Sequence, residues 1–226
     1  MATVVYPGVV LEDVSWEEYE VQLRIIGNRR IRVNYDGGRM EIVSPPRPWW
    51  LGALTYRVGS MVDMLTEELD IPSDAADPVT LKRADLGKGV EPDKLYFLGE
   101  SVARVVGDRE LDLTVDPPPD LIVERDATPS SVPRFPIFAA LGILEVWRLD
   151  GHALQFFGLQ PDRTYQPIGR SLAFSVLSLA EAARFLEQGR TGDQLAWMRA
   201  FRAFVREVLI PRRDEAGWTG GSRGRP

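Results

Sequence analysis

GVEPDKLYFL at residues 89–98 and LTVDPPPDLIVERDATPSS at 113–131 each set acidic side chains against a short apolar run. The runs KLYFL and DLIVE read as buried strands, too short and too apolar for a solvated helix. Alternate side chains of a strand share a face. Asp120, Ile122, Glu124 and Asp126 therefore point one way, and Leu121, Val123 and Arg125 the other. Asp93 opens the KLYFL run directly after Pro92. Carboxylates in such surroundings must be solvated, paired or holding a cation. If the two strands are neighbours, Asp93 and Glu124 converge near one end of a sheet. Two converging carboxylates suit Mg2+, a hard ion that takes oxygen ligands and keeps several waters. The alternative is pairing with Arg125 or Arg134, both close in sequence.

Working outward, the flanking segments supply a mixed α+β domain. Ser15 and Glu18 form a capping box for a helix over 15–26, with Gly27 to end it. Asp36-Gly37-Gly38 joins two strand-like runs as a hairpin turn. The prolines of SPPRPWW (44–50) then forbid a continuous ladder. Leu51, Leu54, Val58, Met61, Val62, Leu65 and Leu69 recur at helical spacing, which predicts a long helix over about 50–69. Strand character is expected at 78–83, 102–106 and 111–115. FPIFAALG is expected as a helix ended by Gly142, with Ser130 or Ser131 as its cap. ILEVWRLDGHALQFFGL gives two strands about Asp150-Gly151, and helices are expected over 178–188 and 194–209. This order predicts one central sheet flanked by helices, a single domain over 1–210, and a flexible Gly-rich tail over 211–226.

Composition narrows the chemistry. The 226 residues are 44% apolar, enough for one sizeable core, and carry a net charge of −6. With no cysteine, thiolate metal sites and cysteine nucleophiles are excluded, and a reducing cytoplasm is the expected compartment. His152, the single histidine, leaves no His-based zinc cluster and reads as a surface residue. No apolar run reaches membrane-spanning length, so no membrane partner is expected. Arg24, Arg29, Arg30, Arg32 and Arg39 read as a solvated basic face with the capacity to contact phosphates. Arg199, Arg202 and Arg206 lie on one face of the last helix, and its apolar stripe is expected to cover the sheet or to form a homodimer contact.

The stretches YDGGRMEIVSP, GVEPDKLYFL, LTVDPPPDLIVERDATPSS and RFPIFAALGILEVWRLDG fall in order between residues 35 and 151. Together they resemble the Uma-type family of restriction-endonuclease-like proteins, a branch of the PD-(D/E)XK nuclease superfamily. The resemblance implies a restriction-endonuclease-like central mixed sheet flanked by helices, a divalent metal (Mg2+ or Mn2+) and hydrolysis of DNA phosphodiester bonds. It implies Asp93 and Glu124 as metal ligands, with Asp126 beside them, and Glu41 as a supporting acid. Arg134 stands where the family carries a catalytic lysine at the start of the helix, and Asp126 where the superfamily pattern has one two residues after the second acid. An arginine binds phosphate but cannot act as a base. Trp49 occupies a position often held by histidine, and Trp49 and Trp50 read as core or interface residues. The alternative function is therefore a catalytically silent scaffold that binds DNA or a protein partner.

Overall fold

Side-chain caps and glycine turns fix the element ends. In the computed structural model, which describes residues 8–44, 48–105, 107, 109–126 and 132–215, the elements in chain order are β1 (Val9–Leu11), α1 (Trp16–Ile26), β2 (Arg32–Asp36), β3 (Arg39–Val43), α2 (Trp49–Glu68), β4 (Ser73–Ala76), β5 (Leu81–Arg83), β6 (Lys88–Val90), β7 (Lys94–Leu98), α3 (Val102–Val105), β8 (Leu121–Asp126), α4 (Arg134–Leu141), β9 (Glu145–Asp150), β10 (Ala153–Leu159), β11 (Tyr165–Pro167), α5 (Leu179–Thr191), α6 (Gln194–Phe204) and α7 (Ile210–Glu215). A π-helical turn, Val205–Leu209, joins the last two helices. Ser15 and Glu18 cap α1 reciprocally, and Ser178 and Glu181 do the same for α5. Gly37 and Gly38 both adopt positive φ between β2 and β3, the geometry a tight hairpin needs.

The mixed α+β class holds, but the strands divide into two sheets. The smaller has the order β1-β3-β2-β6-β5 and the larger β11-β10-β9-β8-β7-β4. Among the described residues only β8 and β9 pair in parallel, with α4 between them in the chain; the other pairings are antiparallel. The segment around 102–106 forms α3 rather than a strand, and 111–115 is a turn held by Asp112 and Asp116. Both are short apolar runs with one charged residue each, and neither pairs with a strand of either sheet among the described residues.

The larger sheet is covered on both faces. Leu121, Val123, Trp147, Leu149 and Phe156 pack under α2, α5 and α6, with all seven stripe residues of α2 except Leu51 in that cluster and Leu51 itself buried. Leu95, Phe97, Ile122, Val146 and Phe157 face Ile137, Phe138 and Leu141 of α4. Trp197, Phe201, Val205 and Leu209 are buried in the first of these clusters, so the C-terminal helices cover the sheet. Val33, Tyr35 and Met40 of the smaller sheet pack against Tyr19 and Ile26 of α1. Helix therefore continues through the start of the expected tail: Arg212 of α7 pairs with Glu181 at 2.9 Å, and Arg213 donates to the Leu69 carbonyl. The rest of that tail, 216–226, and the Ser130 and Ser131 cap lie outside the described residues.

Candidate functional site

The alternation that sends Val33 and Tyr35 into the α1 core sends Arg32 and Asn34 to the other face of the smaller sheet, with Glu41 opposite Asn34. That face meets the larger sheet at the start of β7 and the end of β8, where Lys94 pairs with Val123. One step further along the same register brings Asp93 opposite Glu124. Both are only 4% exposed, and Arg32, Asn34 and Glu41 are buried with them. The site is a polar seam between two sheets.

Arginines hold both acids. Asp93 accepts from the guanidinium of Arg32, from the Arg125 backbone N–H at 2.9 Å and from Arg125 Nε at 2.8 Å. Glu124 pairs with Arg134, the first residue of α4, whose other terminal nitrogen donates to the Glu91 carbonyl. Arg32 spans both carboxylates, bonded to Asp93 through Nη2 and 4.0 Å from Glu124 Oε1 through Nη1. Burial pushes the Asp93 carboxyl up, but Arg32 and Arg125 outweigh it and hold it well below the usual carboxylate range. Complete burial raises Glu124, which Arg134 only partly opposes and the negative Asp93 reinforces. Burial raises Glu91 in the same way, offset in part by the Thr80 hydroxyl that donates to it at 3.0 Å.

Among the expected site residues, Asp93, Glu124 and Arg134 come together. Glu41 lines the same seam, and Asn34 Nδ2 donates to it at 2.8 Å. Asp126 ends β8, and its side chain lies outside the described residues. Lys94 turns to the opposite face, packing its stem against Gly59 of α2 and pairing with Asp77 at 2.5 Å. Arg32 differs from expectation: it is buried between the acids instead of lying on a solvated face. Its alternation with Val33 and Tyr35 marks it as pointing away from the α1 core, but its burial depends on the second sheet. Trp49 and Trp50 are 88% and 44% exposed, so neither is a core residue.

Donor chemistry in the seam suits a hard cation. Glu124 Oε2 is buried without a hydrogen-bond partner, an acceptor left open beside a second carboxylate. No group of three or more His, Cys, Asp or Glu gathers among the described residues. A cation here would take two protein carboxylates and fill its remaining positions with water and phosphate, which Mg2+ tolerates. The charge is the obstacle: three guanidinium groups surround two carboxylates, so a dication enters only as Arg32 gives way.

No helix among the described residues is long and apolar enough to cross a membrane. Compared with curated proteins, the chain finds no match. The profile of the Uma2 family, described as "putative restriction endonuclease", matches residues 16–187. The match runs from α1 into α5 and takes in every residue of the seam, and the chain belongs to the Uma2 family.

Proposed function

We propose that the chain is a Mg2+-dependent endonuclease, able to use Mn2+, that hydrolyses DNA phosphodiester bonds with Asp93 and Glu124 as the protein ligands of the ion. The observation that carries this reading is the convergence of two buried carboxylates from neighbouring strands on a single cationic group, with Glu124 Oε2 left open. Held by Asp93 and Glu124, such an ion would supply Lewis-acid polarisation of the phosphodiester and a bound water of lowered pKa. The chain's own residues supply the rest. Arg134 leaves Glu124 to neutralise charge on the scissile phosphate. Glu41, held by Asn34, orients water in the seam. Arg32 neutralises the acids while no ion is bound.

A specific observation also favours the silent scaffold: both acids already have arginine partners, and three guanidinium groups gathered in the seam can bind phosphate without a metal. Incubation of supercoiled plasmid with Mg2+ or Mn2+, against chelator, separates the two. The nuclease reading expects metal-dependent nicking that Glu124→Gln abolishes and Arg134→Lys increases, because lysine can shuttle a proton where arginine cannot. No cleavage by either the natural chain or Arg134→Lys, with DNA binding retained, selects the scaffold. The same proposal places the protein in the cytoplasm as a homodimer. Most of the apolar stripe that suggested dimerisation is spent on the core, leaving Leu195 and Val208 exposed, and sedimentation as a monomer would end that part of it.

A further inference from the structure

We infer that the turn between α1 and β2 is a contact for the phosphate backbone of DNA, made by Arg24, Arg29 and Arg30 beside the seam. The inference rests on the nuclease reading only for where the scissile phosphate lies, and the contact is measurable without cleavage. All three arginines are exposed. Elsewhere on the surface arginines meet carboxylates: Arg39 pairs with Glu12, Arg83 with Asp85, Arg190 with Glu187 and Arg206 with Glu68. Among the described residues no carboxylate pairs with Arg24, Arg29 or Arg30. The chain carries a net charge of −6, yet neither 21–35 nor 42–62 contains an Asp or Glu. The two stretches meet where Ser44 Oγ donates to the Arg30 carbonyl at 3.4 Å. Glu20, the nearest acid before Arg24, is taken by Lys82 at 2.7 Å. The local field is therefore positive on a negative protein, which draws in a polyanion.

Arg29 is pre-organised for a phosphate. Its Nη1 donates to the Ile25 and Ile26 carbonyls at the end of α1, to the second at 2.9 Å, which fixes the guanidinium. Nε and Nη2 make no hydrogen bond among the described residues, so one edge of the fork is available for two parallel bonds to phosphate oxygens. The turn also adjoins the seam. Arg30 stands two residues before Arg32, so their Cα atoms are at most about 7 Å apart, and Arg32 spans Asp93 and Glu124. Phosphates follow one another every ~3.4 Å of helix axis along a strand. A strand with its scissile phosphate at Glu124 therefore has phosphates within a few nucleotides that the turn can hold. An anionic membrane is the other polyanion for a basic patch, but α1 carries Glu17 and Glu18 in its first turn. A bilayer lying along the helix would meet those acids, whereas a nucleic-acid strand needs only the last turn.

The test is fluorescence anisotropy of the full chain in chelator with a labelled duplex of about 20 base pairs, two helical turns, titrated from about 0.05 to 0.2 M salt. Each arginine that touches a phosphate contributes about 0.9 to the slope of log affinity on log salt. Arg24→Gln, Arg29→Gln and Arg30→Gln should each lower the slope by about that amount and weaken binding about 5- to 10-fold at ~0.1 M salt, equally for unrelated sequences. Arg29→Lys should restore the slope but only part of the affinity, since lysine keeps the charge and loses the fork. Arg199→Gln removes the same charge from an exposed position on α6 and should leave the slope unchanged. Slopes and affinities that match the natural chain in all three glutamine variants overturn the contact, as does an equal loss in Arg199→Gln. If the natural chain nicks plasmid, the nuclease reading then stands without it. A natural chain that binds phosphatidylglycerol vesicles but no duplex also overturns it and gives the turn to a membrane. Falling slopes in a chain that never cleaves keep the contact and remove the nuclease.

Discussion

Asp93 shows how a single residue changes meaning between sequence and structure. By spacing alone it is one of two crowded carboxylates, so Asp93→Ala should relieve repulsion and leave the fold intact. In the seam it is instead the counter-charge for Arg32 from one sheet and Arg125 from the other. Removing one partner of a buried ion pair strands the other and costs about 3–5 kcal/mol, far more than an exposed pair. Asp93→Ala is therefore expected to lower the urea midpoint by a corresponding amount while the unfolding slope stays the same. A variant as stable as the natural chain would show that the arginines find water in the absence of Asp93, and that the seam is wetter than its burial implies. Arg32 carries the opposite lesson, since nothing in RIRVNYD distinguishes a solvated arginine from one that a second sheet will cover.

At the scale of elements, legibility follows periodicity. The α2 stripe, the glycine hairpin, the Ser15–Glu18 capping box and the paired runs KLYFL and DLIVE all carry a repeat or a cap, and each appears where the residues place it. β1, β4, β6 and β11 are three or four residues long and have no alternation to read; their strand character comes from the neighbours they pair with. The division into two sheets was hidden for that reason, and with it the inter-sheet seam, although the adjacency of Asp93 and Glu124 was readable. The C-terminus shows the same dependence on context. Arg212 and Arg213 sit in a polar run, yet Arg212 pairs with Glu181 and donates to the Val176 carbonyl, while Arg213 reaches the end of α2. Burial pushes the Glu181 carboxyl up, but Arg212 and Ser178 outweigh it and bring it down to about 2. Truncation after Pro211, which would be harmless if the tail began there, is expected to cost about 1 kcal/mol for the lost half-exposed pair. Thermal unfolding should fall by roughly 2–4 °C for a chain of this size, and a truncate with an unshifted midpoint would return α7 to the status of a dispensable tail.

Across the whole molecule, carboxyl groups of opposite character set the pH at which two sheets and their helices hold together best. Asp93 is depressed in the folded chain, so its stabilisation is complete above the unfolded value near 4 and is lost as pH falls below it. Glu145 is the reverse case. It lies fully buried at the start of β9, where Trp147 Nε1 and the backbone N–H groups of Leu172 and Ala173 donate to it at 2.7, 3.0 and 2.7 Å, pinning the loop before α5. Burial nevertheless pushes its carboxyl up to about 7, because these donors offset the lost hydration only in part. Glu124 is raised for the same reason. A carboxyl raised on folding binds its proton more tightly in the folded chain, so stability declines as pH climbs from the unfolded value near 4.5 through about 7. The two trends leave a maximum on the acid side of neutrality, above the range where Asp93 protonates and below that where Glu145 and Glu124 ionise. Thermal midpoints taken from acid to alkaline pH should trace that maximum. Mg2+ should flatten the neutral limb by stabilising ionised Glu124 and leave the part due to Glu145, which is remote from the seam. A midpoint that instead rises steadily through pH 7 would mean that the donors to Glu145 keep it ionised throughout, and that this buried carboxylate is a fixed anchor of the fold.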